Sequence, residues 1–214
     1  MENEIGADSM DDSSLQFVDQ HQHISITGAK LPHWHQNNKI QFITFRLADS
    51  LPQEKLAELT AFKEQWLAAH PQPWDQKTKD EYDYTIRRKI DRWLDQSFGE
   101  CILQREDIRQ IVANTLLLYH GRRYNLYRFV IMPNHVHLLL SPIGEEVSTR
   151  FIGSVKQYTA NAINQALGRK GQVWQRNFFD RLVRDGNNFE AYVNYINQNP
   201  RYLPPDSYTL GGTL

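Results

Sequence analysis

The sequence predicts an α+β fold: a ferredoxin-like antiparallel sheet with packed helices, plus a helical insertion after the first strand. Three observations carry this reading. Two β-prone runs, YNLYRFVIM and HVHLLLS, flank Pro133-Asn134 and read as a hairpin. Apolar residues recur at helical spacing on both sides of that hairpin. The elements follow in the order strand, helices, hairpin, helix, strand, helix.

Residues 1–25 read as a disordered acidic leader. Its opening, MENEIGADSMDDSSLQ, lacks the basic and then apolar regions of a secretory signal. The domain is placed at 26–205. KIQFITFRLA, rich in β-branched and aromatic residues, is its first strand. A helix follows in SLPQEKLAELTAFKEQWLAAH, with Ser50 as N-cap, Pro52 in the first turn, and Leu59, Phe62, Trp66 and Ala69 facing inward. PQPWD breaks it. A second helix, about 78–97, carries the stripe Tyr82, Ile86, Ile90 and Trp93. Both lie in the insertion, 51–104. A third helix, roughly 105–119, turns Ile108, Ile111, Val112 and Thr115 inward. After the hairpin, a helix over about 147–168 stops at Gly168 and Gly171. In it Tyr158 falls in line with Phe151, Val155, Ala162 and Ala166, which predicts a packed tyrosine. QVWQRNFFDRLVRD reads as extended. The last helix, about 188–199, opens on Asn187 with Glu190 completing a capping box, and ends at Pro200. Residues 206–214 read as a flexible tail.

A chain of 214 residues can bury a core of ordinary size. No apolar run approaches the ~18 residues of a membrane span, so no membrane is expected. Cys101 stands alone, which excludes an intramolecular disulfide and fits a cytoplasmic protein. The net charge of −1 is unevenly spread: 11 Lys/Arg against 17 Asp/Glu up to residue 100, then 13 against 8. The basic second half holds Arg122, Arg123, Arg128, Arg176, Arg181 and Arg184, and suits a polyphosphate ligand.

That half also contains MPNHVHLLLS. On a strand, His135, His137 and Leu139 share one face, while Val136, Leu138 and Leu140 share the other. Two imidazoles projecting side by side can hold one divalent ion if a third donor comes from elsewhere. The other reading is a hydrogen-bonded pair at the edge of a core. His21/His23 and His33/His35 have the same spacing but sit on no clear alternating strand. A histidine-triad nucleotide hydrolase is disfavoured, because Leu139 occupies the next alternate position.

In the last helix, Phe189, Val193 and Ile196 form the core face. Beside it run Asn188, Tyr192, Tyr195 and Asn199, so Tyr195 and Asn199 lie one turn apart on the same side. Spacing leaves two readings open: a nucleophile beside a ligand, or a packed tyrosine with an amide capping the helix end.

RFVIMPNHVHLLLSP, SVKQYTANAIN, GQVWQRNFFDRLVRD and NYINQNP, in that order, resemble the REP-associated tyrosine transposases of the single-tyrosine HUH superfamily. FITFRLADSLP and GRRYNLYRFVIM resemble its longer members, and the likeness covers roughly residues 30–205. The resemblance implies a ferredoxin-like fold, a tyrosine nucleophile at Tyr195, and Mg²⁺ or Mn²⁺ bound by His135, His137 and Asn199. It implies single-stranded DNA hairpins of the repetitive extragenic palindrome kind as substrates, nicked and joined through a 5′-phosphotyrosine by a monomer or homodimer. Two departures stand out. The helices of 51–104 exceed the minimal family fold, and the chain is nearly neutral, so DNA recognition must rest on local patches. Arg122, Arg123, Lys156, Arg176, Arg181 and Arg184 supply charge for such patches, and Trp174, Phe178 and Phe179 supply stacking. Two other classes compete: a hairpin-binding module that does not cut, and a metal-dependent phosphohydrolase that uses water.

Overall fold

The computed structural model describes residues 15–19, 21–27 and 33–214. In chain order its elements are β1 (Ser25–Thr27), β2 (His33–His35), β3 (Gln41–Arg46), α1 (Gln53–Ala69), α2 (Gln76–Leu94), α3 (Glu106–Tyr119), β4 (Tyr124–Ile131), β5 (His135–Pro142), α4 (Ser148–Ala166), β6 (Phe179–Leu182), α5 (Gly186–Gln198) and β7 (Thr209–Gly212). The main sheet runs β6-β3-β5-β4-β7, every pairing antiparallel. The series β3-α3-β4-β5-α4-β6 is the split βαβ pattern, with its strands in the spatial order fourth, first, third, second. The expected ferredoxin-like core is therefore present, with α1 and α2 inserted between β3 and α3.

The period of two along each strand sorts side chains onto two faces. Ile43, Phe45, Val136, Leu138 and Leu140 pack with α3 and α4 through Ile108, Val112, Leu116, Phe151 and Val155. Phe42, Val130 and Leu139 pack with Phe189 and Ile196 of α5 on the other face. The insertion has a small core of its own, in which Leu51, Trp93 and Leu94 meet Leu56, Leu59 and Ile90.

Several local expectations are corrected. Ser50 does not cap α1: its hydroxyl donates to the Leu47 carbonyl, and Pro52 takes the N-cap position. No residue of α1 is fully buried, and Ala69 is exposed. Asp185, not Asn187, caps α5, accepting from the Asn188 N–H at 2.8 Å. Tyr158 is 58% exposed. The buried line of α4 runs through Ile152, Val155, Lys156, Thr159 and Ile163, which turns Tyr158 outward.

Of the leader, residues 1–14 and 20 lie outside the described residues. Leu15 and Phe17 pack against the α5-side core, and the Val18 N–H donates to the Val183 carbonyl. The tail forms β7, an edge strand on β4. A Cβ on Gly212 would strike the Tyr127 carbonyl, and its φ of +136° is left-handed, so glycine is required for this approach. Among the described residues, no helix is long and apolar enough to cross a membrane.

Candidate active site

Strand β5 opens with His135, directly after the hairpin turn Pro133-Asn134. The register places Arg46 opposite His135 and Thr44 opposite His137, all on the face that α5 covers. Both imidazoles are fully buried, and their Nε2 atoms lie 3.0 Å apart. Each outer nitrogen is held. His135 Nδ1 meets Asn134 Oδ1 at 2.8 Å, while Asn134 Nδ2 donates to the Phe98 carbonyl, which fixes the amide's orientation. His135 Nδ1 must therefore carry the proton, leaving its Nε2 with a free lone pair. His137 Nδ1 meets the Thr44 hydroxyl at 2.7 Å. A hydroxyl donates or accepts, so Thr44 accommodates either tautomer of His137.

Burial pushes the His135 pKa down to about 3, against a smaller upward pull from the Asn199 amide. Burial, then His135 and Arg87, push His137 well below the usual imidazole value. Both rings are thus neutral at physiological pH, the state in which imidazole is a ligand.

From the other side, α5 brings Tyr195 and Asn199. The Tyr195 ring meets the His137 ring edge to face, with centroids 5.2 Å apart. The Tyr195 hydroxyl and Asn199 Oδ1 are buried, and neither makes a hydrogen bond of good geometry among the described residues. Burial, reinforced by Asp91 and Asp95, raises the Tyr195 pKa, while Arg87 lowers it. Asp91 lies against the Tyr195 hydroxyl; burial pushes the Asp91 carboxyl up to about 6, although Arg87 and Tyr195 pull it down.

The donor set fits a divalent ion. Two ligand bonds of about 2.1 Å at a right angle end about 3 Å apart, the separation of the two Nε2 atoms. The Asn199 amide reaches the same pair, since it acts on His135, and its buried oxygen could serve as a further donor. Among the described residues, no cluster of three or more His, Cys, Asp or Glu is placed to bind a metal. His33 is engaged elsewhere, 2.6 Å from Asp180 Oδ1.

The DNA-contact candidates divide. Trp174 is buried and its Nε1–H donates to Thr159 at 2.9 Å, while Phe178 is buried and stacks on His33. Neither ring is open to a base. Lys156 is only 8% exposed, and its ammonium donates to the carbonyls of Gln175 and Arg176 at 2.6 and 2.8 Å. It braces the loop before β6 and does not face solvent. Arg123 pairs with Glu146, and with Arg122 it sits at the far end of the hairpin, roughly 17 Å along the strand from His137. Arg176 is exposed. Arg181 and Arg184 lie near the site but are paired with α2, to Asp83 at 2.6 Å and Asp80 at 2.9 Å.

Sequence reasoning missed α2's part. Arg87 donates to the Tyr192 hydroxyl at 3.1 Å, and Asp91 reaches Tyr195. Their one-turn spacing, i and i+4, was the available signal.

Residues 102–199 match the model of the IS200-like transposase family. Over that segment the family resemblance carried by the motifs is borne out, and the family is one of DNA-cleaving and DNA-joining enzymes. An uncharacterised protein of Haemophilus influenzae is 30% identical over 95 residues, covering 34% of this chain and 52% of the relative, so the match spans about half that relative's length. A solved structure of a REP-associated tyrosine transposase bound to a REP hairpin is similar at TM-score 0.44 and 15% identity, covering 81% of this chain and 73% of that one.

Proposed function

We propose that this protein nicks and rejoins single-stranded DNA at hairpins of the repetitive extragenic palindrome kind, through a 5′-phosphotyrosine on Tyr195. One observation carries the reading: Tyr195 Oη and Asn199 Oδ1, both buried and without a hydrogen bond of good geometry, lie on the side of α5 that faces two neutral, pre-oriented imidazoles. His135, His137 and Asn199 would hold Mg²⁺ or Mn²⁺; Mn²⁺ suits two nitrogens and an oxygen better. When bound, the ion polarises the scissile phosphate and offsets charge on its oxygens.

The chain's own groups do the rest. Asn134 and Thr44 fix the two ring orientations. The His137 and Phe42 rings, each T-shaped against it, confine the Tyr195 ring, so its hydroxyl is aimed before DNA arrives. Attack of Tyr195 Oη forms the Oη–P bond and breaks the P–O3′ bond; the phenol loses its proton and the leaving O3′ gains one, giving a free 3′-hydroxyl. The link keeps a phosphodiester's energy, so the reverse attack by a 3′-hydroxyl rejoins strands without ATP.

The test is incubation of the full chain with a single-stranded hairpin bearing a 5′ overhang and Mn²⁺, followed by a denaturing gel. A covalent protein–DNA adduct mapped to AYVNYINQNP by mass spectrometry is expected. Cleavage without adduct would point to a water-using phosphohydrolase, and binding without cleavage to a hairpin-binding module.

A further inference from the structure

We propose that Arg87, carried by the inserted helix α2, is a catalytic residue: its guanidinium donates to a non-bridging oxygen of the scissile phosphate as Tyr195 attacks. This rests on the functional reading above. It adds a participant from outside the segment that matches the family, since Arg87 lies in the insertion and the match begins at residue 102.

The guanidinium is fixed before any ligand arrives. Its Cζ lies 5.7 Å from the Tyr192 ring centroid, 5.9 Å from Phe179 and 6.0 Å from Phe42. Phe42 is the hub of the site: its ring centroid is 5.4 Å from His137, 4.3 Å from Tyr192 and 5.7 Å from Tyr195. Arg87 therefore sits against the same ring as the proposed ligand and the proposed nucleophile. One end of the fork is used, with Nη1 donating to the Tyr192 hydroxyl. The Nε–H is buried and has no hydrogen-bond partner among the described residues; the Asp91 carboxylate stands 3.8 Å away, beyond bonding reach.

Three buried polar atoms without a well-formed hydrogen bond thus gather here: Arg87 Nε, Tyr195 Oη and Asn199 Oδ1. Such groups are rare in folded proteins and call for a physical reason. A phosphodiester accounts for two of them at once, giving the Nε–H an acceptor oxygen and the phenol an electrophile. Guanidinium stays charged and matches phosphate geometry, and a preorganised cation in a dry site stabilises developing charge strongly.

The experiment compares the wild-type chain with Arg87→Ala and Arg87→Lys, using the Mn²⁺–hairpin adduct assay and, separately, hairpin binding. Arg87→Ala should form adduct roughly 10²- to 10³-fold more slowly. Hairpin affinity should change by less than about threefold, and low millimolar ethylguanidinium should restore part of the rate. Arg87→Lys should recover little, because an ammonium lacks the fork. Replacing one non-bridging oxygen of the scissile phosphate by methyl should erase the difference between wild type and Arg87→Ala in one stereoisomer. Should Arg87→Ala fail to fold, Arg87→Gln, which keeps a donor for Tyr192, serves the same comparison. Equal adduct rates in wild type and variant overturn the assignment while leaving the functional reading intact. So does a loss unaffected by ethylguanidinium and equal on the native and both methylated substrates, which marks Arg87 as a strut. Absence of adduct from wild type overturns the functional reading itself, and the role of Arg87 with it.

Discussion

The Tyr195 ring stands edge-on to the His137 ring at a centroid distance of 5.2 Å, although the two residues lie in separate elements, α5 and β5. The contact exists because β5 turns its histidine face away from α3 and α4, and α5 covers that face. Tyr195→Phe keeps the ring contact and removes a buried hydroxyl without a well-formed hydrogen bond. Such a change should leave stability unchanged or raise it by up to about 1 kcal/mol. Urea unfolding should show this while the covalent adduct vanishes. Tyr158→Phe, at an exposed position, should shift stability by less than about 0.5 kcal/mol and still cut. An adduct that survives in Tyr195→Phe and disappears in Tyr158→Phe would exchange their roles.

Thr44 makes a separate prediction. Its hydroxyl is the group that holds His137 Nδ1. Thr44→Val keeps the shape and removes that partner, so His137 loses the contact that orients its ring. Groups that orient metal-bound histidines typically contribute 10- to 100-fold in affinity. Calorimetric titration with Mn²⁺ should show a loss of about that size, with near-wild-type circular dichroism. Unchanged Mn²⁺ affinity would mean that His137 Nε2 is not a ligand.

The core and the pair of faces were legible in sequence because burial writes periodicity. His135/His137 alternate with Val136/Leu138, and Phe189/Val193/Ile196 mark α5. Side-chain phase was less legible. Tyr158 differs from the buried Thr159 by one residue, and a smooth apolar stripe through Phe151, Val155 and Ala162 hid that α4 turns Lys156 inward. Lys156 and Trp174 look like nucleic-acid contacts by residue type, yet they serve backbone carbonyls and a threonine inside the fold. The strand β7 was hidden because glycine pairs usually signal loose chain. Here Gly212 is required by the close approach of the Tyr127 backbone, and Gly211 lies against the Phe129 ring. The reach of α2 into the site is a long-range contact of an insertion: the i, i+4 spacing of Arg87 and Asp91 marks a shared helix face but not the residues that face meets.

Asp91 gives a pH signature. Burial holds its carboxyl at about 6 against an ordinary 3.8, with Arg87, Tyr195 and Asp95 as its charged or titratable neighbours. Between these values the folded chain keeps a proton that the unfolded chain has released. The group's contribution is therefore fully present below about pH 4 and lost as pH rises through 6. The gap from 3.8 to about 6 corresponds to about 3 kcal/mol. Unfolding free energies in chelator should thus show Asp91→Asn gaining on wild type by up to about 3 kcal/mol from pH 4 to pH 7. A difference between the two proteins that stays flat over that range would contradict a buried carboxylate at Asp91.

Of the arginines proposed to contact DNA, Arg181 and Arg184 are held by α2. Arg181 pairs with Asp83 at 2.6 Å, with side chains 20% and 22% exposed; Arg184 pairs with Asp80 at 2.9 Å, with side chains 58% and 32% exposed. A DNA phosphate reaching either guanidinium competes with a carboxylate for it. Pairs this exposed contribute only about 0.2–1 kcal/mol each, so the competition is close and its balance can be moved. The double substitution Asp80→Asn and Asp83→Asn removes both competitors and keeps side-chain size. Hairpin affinity at low salt should then rise by roughly 3- to 10-fold, in line with two such pairs. Because two phosphate contacts become fuller, the slope of log affinity against log salt should steepen by about 1. Fluorescence anisotropy of a labelled hairpin between about 50 and 200 mM salt reads both quantities. If affinity falls and the slope flattens, the carboxylates are needed to position the arginines. If neither changes, DNA passes elsewhere, and Arg176 is the next residue to test.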